Sequence, residues 1–209
     1  DDMLWLRPLD SLAPGPLPGS KGADWPFWSP DSRSIAFFAE GKLKKIDLVG
    51  SPAVAVCDAA DGRGGTWSRE GVILFAPNTT APIHQVPASG GTPSPVTKVD
   101  EERGETTHRW ASFLPDGRHF LYMSGTHGAG IKSEANAVYL GQLGSEKRTL
   151  LLQARSNVTY ASGYLLYVRD RILLAQAFDL RKLELSGDPI PLAEAVSYDT
   201  SYFRGEFGV

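Results

Sequence analysis

The sequence predicts an all-β chain folded as a β-propeller, and three observations carry the prediction. Its 209 residues include 22 glycines and 15 prolines, which split it into short apolar runs ("SIAFF", "VILFA", "HFLYM", "YLLYV") without long helical periodicity. An aromatic–turn–apolar phrase recurs, as "FWSPDSRSIAFF" from Phe27 to Phe38 and as "FLPDGRHFLY" from Phe113 to Tyr122. Anchored on the aromatic that ends the first strand of each unit (Trp28, Trp67, Phe113, Tyr160, Phe207), the spacings are 39, 46, 47 and 47 residues. They match the roughly 40–50 residues of a four-stranded propeller blade.

Taken in order, "MLWLRPLDSLAPGPLPG" supplies the last two strands of an earlier blade, a partial blade over 1–24. Four complete blades follow at about 25–62, 63–107, 108–154 and 155–203, and "RGEFGV" over 204–209 supplies the first strand of another partial blade. Within each complete unit the aromatic strand enters a turn ("PDSR", "REG", "PDGR", "ASG") and then a strongly apolar strand. A hairpin leads to the third strand ("KLKKIDL", "IHQVPA", "AVYLGQL", "ILLAQAF"), and a Pro- or Lys-bearing fourth strand ends the unit. Pro presets φ for the turn, Asp bonds the backbone inside it, and Gly or Ser tolerates its exit. The aromatic beside it is large enough to fill the seam between neighbouring sheets. The two remnants lack one strand of a full blade, so the expectation is a fragment of a propeller, 1–209 forming a single domain or part of one. An open arc leaves an edge strand able to pair with a second copy as a homodimer.

Bulk properties narrow the partners. The net charge is −3 and the pI about 5.8, so no basic excess exists to neutralise nucleic-acid phosphates. No apolar run of about 18 residues appears, and no membrane insertion of this fragment is expected. Cys57 is the single cysteine, which excludes an intramolecular disulfide and a cysteine-based metal cluster. The opening "DDMLWLRPLD" reads as a strand rather than a signal peptide.

Loops entering the inner strands of a propeller converge on one face. Counting back from the anchors places Trp25 (beside Asp24), Arg63, His108, Arg109, Asn157 and Arg204 there, and these six are the ligand-binding candidates. Guanidinium groups suit carboxylates or phosphates, so the expected partner is a protein or a small anionic ligand such as an acidic peptide or a sugar acid. Glu105 and the run Asp100, Glu101, Glu102 offer a competing role, in which the arginines pair internally and hold loops. The loop "SGTHGAGIKSEAN", Ser124 to Asn136, lacks the Gly-Lys-Ser/Thr ending of a phosphate loop. His84, His108, His119 and His127 show no zinc spacing, the acidic residues no calcium pattern, and no G-x-S-x-G elbow occurs. No catalytic residue, metal or cofactor is therefore assigned.

"FWSPDSRSIAFFAEGKLKKIDL" and "FLPDGRHFLYM" resemble the WD40-like repeats of TolB-type propellers. More narrowly, "RGGTWSREGVILFAP", "GETTHRWASFLPDGRHFLY" and "LLAQAFDLRKLELSGDPIPLAEAV" resemble the C-terminal propellers of bacterial eukaryotic-like serine/threonine kinases. That resemblance implies a non-catalytic sensory or interaction module, extracytoplasmic, on a membrane kinase whose catalytic motifs are absent from this chain. The alternative is the accessory propeller of a prolyl-oligopeptidase-like peptidase, and a metal-dependent lactonase is the weakest reading.

Overall fold

The structure, a computed structural model, describes residues 3–126 and 136–208. The described chain is built from antiparallel sheets and one short 3-10 turn, Glu101–Arg103. It forms two compact units, Asp1–Thr79 with His84–Ser94, and Thr80–Ile83 with Pro95–Val209.

In the first unit, β1 (Trp5–Leu6) pairs with β2 (Gly15–Pro16). Strands β3 (Asp24–Trp28), β4 (Ser34–Ala39), β5 (Lys42–Asp47) and β6 (Val54–Asp58) form a sheet in chain order. The next sheet is built from β7 (Gly65–Trp67), β8 (Val72–Phe75), β9 (His84–Pro87) and β10 (Ser94–Pro95), again in chain order. Strand β4 explains its own unbroken apolar sequence. Ile35, Phe37 and Ala39 point into a cluster with Leu17 and Ile46, whereas Ala36 and Phe38 point into another with Leu43, Ile73, Phe75 and Val86. A strand buried on both faces has no polar side to write.

The Pro-Asp corner works as its chemistry predicts. Asp31 Oδ1 accepts from the Ser29 hydroxyl at 2.7 Å and the Arg33 amide at 3.2 Å. Asp116 Oδ1 accepts from the amides of Arg118 and His119 at 3.0 and 2.9 Å. Main-chain bonds Ser29 N–Ser34 O, Ser68 N–Val72 O and Leu114 N–His119 O close three equivalent corners at 2.8–2.9 Å.

Two of the aromatic anchors behave otherwise than expected. Trp28 is 51% exposed; its neighbour Phe27 faces the core instead, with its ring centroid 6.3 Å from that of Phe38. A strand exposes alternate residues, so only one of two adjacent aromatics can turn inward. Phe207 lies past the last strand, and the buried aromatic there is Phe203. Trp67, Phe113 and Tyr160 are partly buried, Phe113 and Tyr160 edge-on against Phe120 and Phe178.

The second unit contains β11 (Thr107–Phe113), β12 (His119–Gly125), β13 (Ala137–Gln142) and β14 (Ser145–Leu152) in one sheet. Strands β15 (Val158–Ala161), β16 (Tyr164–Arg169), β17 (Ile172–Asp179) and β18 (Glu184–Ala193) make the next, and β19 (Tyr198–Asp199) pairs with β20 (Arg204–Gly205). Strand β11 lies beside β15. A core of Leu114, Leu121, Val138 and Leu140 from one sheet meets Val158, Leu165, Tyr167 and Phe178 from the other.

A second repeat is conformational. Trp25, Trp110 and Phe203 adopt left-handed backbone at φ 50°, 54° and 56°. For the two tryptophans this coincides with a bulge, between Asp24 and Phe27 and between Arg109 and Ser112. Such a φ is unfavourable for a bulky residue, and a bulge re-aims the side chain it carries.

Candidate functional site

The six candidate residues divide between the units. In the first, Trp25 packs against the cluster around Phe38. Arg63 is 8% exposed, and its guanidinium donates to Asp61 Oδ2 at 2.7 Å and to the Gly62 carbonyl at 2.8 Å.

In the second unit, Arg109, Asn157 and Arg204 are brought together around the segment from Ser201 to Gly205. Arg109 is wholly buried. Its Nε donates to Thr107 Oγ1 at 3.0 Å, and its Nη1 reaches the carbonyls of Tyr202 and Ser201 at 3.4 and 3.5 Å. Its guanidinium lies 5.5 Å from the Phe203 ring centre. Trp110 Nε1 donates to the Tyr202 carbonyl at 2.9 Å, and Arg204 lies over the Trp110 ring at 5.5 Å. Burial pushes the Arg204 guanidinium below its ordinary value. Asn157 Oδ1 accepts from the Gly205 amide at 2.8 Å.

His108 belongs to a separate network. It has no exposed surface. Its Nδ1 is 2.8 Å from Thr97 Oγ1, which accepts from the Ile83 amide at 2.9 Å. Nε2 lies 3.1 Å from Glu105 Oε2, and because the ionised carboxylate can only accept, the ring proton sits on Nε2 and the threonine hydroxyl donates to Nδ1. Burial holds the imidazole below its ordinary pKa, which keeps this tautomer neutral. Burial also works against ionising Glu105, but hydrogen bonds from His108, Arg148 and the Asp100 amide outweigh it and bring the carboxyl to about 2. Arg148 Nη1 sits 2.8 Å from Glu105 Oε2 and its guanidinium stacks 4.3 Å from the Tyr139 ring centre. Of the acids near His108, Asp100 and Glu105 are thus held by Arg148 and Arg103, whereas Arg63 takes Asp61.

Sequence spacing misses Arg148 and Thr97, because they stand 40 and 11 residues from His108 and no local pattern joins them. Residues 127–135 of the Ser124–Asn136 loop, with His127, lie outside the described residues. Among the described residues no group of three or more His, Cys, Asp or Glu is placed to hold a metal ion, and no helix is long and apolar enough to cross a membrane.

Four-stranded antiparallel sheets, each ordered as in the chain, define the class: the chain is a β-propeller of TolB-like architecture. TolB from Acinetobacter baumannii superimposes with a TM-score of 0.68 at 17% identity, over 92% of this chain and 49% of that one. A TolB-designated protein of Agrobacterium tumefaciens gives 0.58 at 21% identity, over 78% and 60%. The calcium-binding protein regucalcin of the same organism gives 0.58 at 14% identity, over 81% and 58%. In sequence, an uncharacterised protein of Agrobacterium fabrum is 26% identical over 137 residues, 60% of this chain and 42% of that protein. No family model matches the chain. The chain spans less than two thirds of each of these relatives, and at these identities the structural likeness establishes the fold alone.

Proposed function

We propose that the chain is a non-catalytic binding propeller, the extracytoplasmic sensory or protein-interaction part of a bacterial membrane serine/threonine kinase. The observation that carries this reading is the saturation of His108. A general base must offer a lone pair to its substrate, yet Nδ1 is taken by Thr97 and Nε2–H by Glu105 deep in the second unit. Arg109 Nη1 and Asn157 Oδ1 likewise bond main-chain groups. Groups so committed brace a rigid platform, and recognition of a protein or small anion falls to side chains at the loop ends. Arg204, half-buried over Trp110, is the member of the original set best placed to contribute. A homodimer through an edge strand is a further partner mode; Pro189 and Pro191 in β18 remove two amide donors from that strand and direct pairing elsewhere.

The complete reading frame tests the proposal. A kinase catalytic domain and one membrane-spanning helix preceding this segment are expected. A hydrolase domain with a G-x-S-x-G elbow following it would replace the reading with that of a peptidase accessory propeller.

A further inference from the structure

A cavity of about 570 Å³ in the second unit is lined by Arg155, Arg169 and Arg171, with Asn136, Tyr198 and Thr200. Its apolar wall comes from Ala154 and Val168, and among the described residues Asp170 is the single carboxylate on it. This volume suits a small ligand rather than a protein segment.

Three features mark it as built for an anion. First, none of the three arginines forms an ion pair among the described residues. Arg155 lies over Phe203 at 5.2 Å and Arg169 over Tyr167 at 5.5 Å, with one Arg169 bond to the Gln153 carbonyl at 3.2 Å. Their flat faces are fixed while N–H edges stay open, an arrangement suited to bidentate binding of an oxyanion.

Second, Asn136 is 1% exposed and its Nδ2 has no partner among the described residues. Its Oδ1 accepts from the Thr126 amide at 3.4 Å, which assigns the orphaned NH2 to the other side. A buried donor left unmade is costly, and a ligand acceptor in the cavity would satisfy it.

Third, the turn that carries Arg171 breaks the local rule. Asp170 and Arg171 link β16 to β17 as a two-residue hairpin with φ 51° and 63° at both positions. The corresponding β4–β5 hairpin has Glu40 and Gly41 at φ 54° and 71°. Left-handed backbone at the second position favours Gly, so an arginine there trades stability for a guanidinium at the cavity rim.

We infer that this cavity binds a small polyhydroxylated oxyanion, a sugar-sized molecule carrying a carboxylate or phosphate. The guanidinium edges take the charge, and Asn136, Tyr198 and Thr200 take hydroxyl groups. The inference rests on the binding-module reading and gives it a ligand class.

Isothermal titration calorimetry on the 209-residue chain, with glucuronate, glucose 6-phosphate and glucose, tests it. One or both anions bind and glucose does not; which anion binds more tightly separates carboxylate from phosphate. Arg171→Gly weakens the anion by about tenfold or more, while the melting temperature stays level or rises by up to about 3 °C because the turn is relieved. Asn136→Asp, of equal size, weakens it too. No heat with either anion, equal binding of glucose, or unchanged affinity in Arg171→Gly overturns the inference. Failure here within a reading frame that encodes a kinase removes the cavity's role and leaves the module reading standing, since the two are measured separately.

Discussion

Thr97 donates a hydrogen bond of 2.8 Å to His108 Nδ1, because Glu105 holds the imidazole proton on Nε2. Thr97 Oγ1 accepts in turn from the Ile83 amide. The chain of donors then ends on Glu105, whose Oε2 also collects Arg148 and the Asp100 amide.

Acid should dismantle this network in two steps. His108 is held below its ordinary value, so the unfolded state binds the proton first and stability falls as pH drops below about 6.5. Glu105 titrates at about 2 in the folded chain against an ordinary 4.5, so its contribution is intact above 4.5 and is lost from there down towards 2. Urea unfolding followed from pH 8 to 3 should show both declines, the second amounting to about 2–3 kcal/mol. A flat profile would mean that neither group is coupled to folding.

Arg148→Met keeps an apolar stem of similar length but strips the cation from Glu105 and from the Tyr139 ring. Removing one member of a buried pair costs about 3–5 kcal/mol, and the variant's acid limb should move to higher pH as the carboxyl loses one of the hydrogen bonds that lower it. Chemical denaturation at two pH values reads both effects.

Arg109→Gln distinguishes a structural arginine from a ligand-binding one. It removes the guanidinium bonds to the carbonyls of Ser201 and Tyr202 and the stack on Phe203, for an expected loss of about 2–4 kcal/mol. A loss below about 1 kcal/mol would return Arg109 to the ligand-binding set.

Gly62→Ala should be among the more damaging single-methyl changes in the first unit. A Cβ there would stand 2.1 Å from the Phe38 ring, in a close-packed cluster with no room to give. An overpacking cost of about 1–3 kcal/mol is expected, visible as a lower denaturation midpoint with unchanged slope.

The architecture was legible because it is written locally: Asp31 and Asp116 each make their corner from residues within three positions, so the repeat survives in the letters. What the letters did not disclose is which of two adjacent aromatics faces inward. Phe27 and Trp28 are equivalent in hydrophobicity, and only the bulge at Trp25 sets their parity. For the candidate site, spacing found Asn157 and Arg204 near one another but mistook buried arginines for exposed ones, since burial of Arg109 depends on Phe203, 94 residues away. The Arg171 signal was present, as "RDRI" set against "AEGK" in the equivalent hairpin. Aligning the hairpins rather than the anchors exposes it.

Strand β4 belongs to two hydrophobic clusters at once, one through Ile35 and Phe37 and the other through Phe38. Neither cluster can loosen without disturbing the single ribbon they share, so they should melt as one cooperative body rather than layer by layer. In native-state hydrogen exchange, the amides of Ala36 to Phe38 should then open only with global unfolding, at the slow end of the first unit's range.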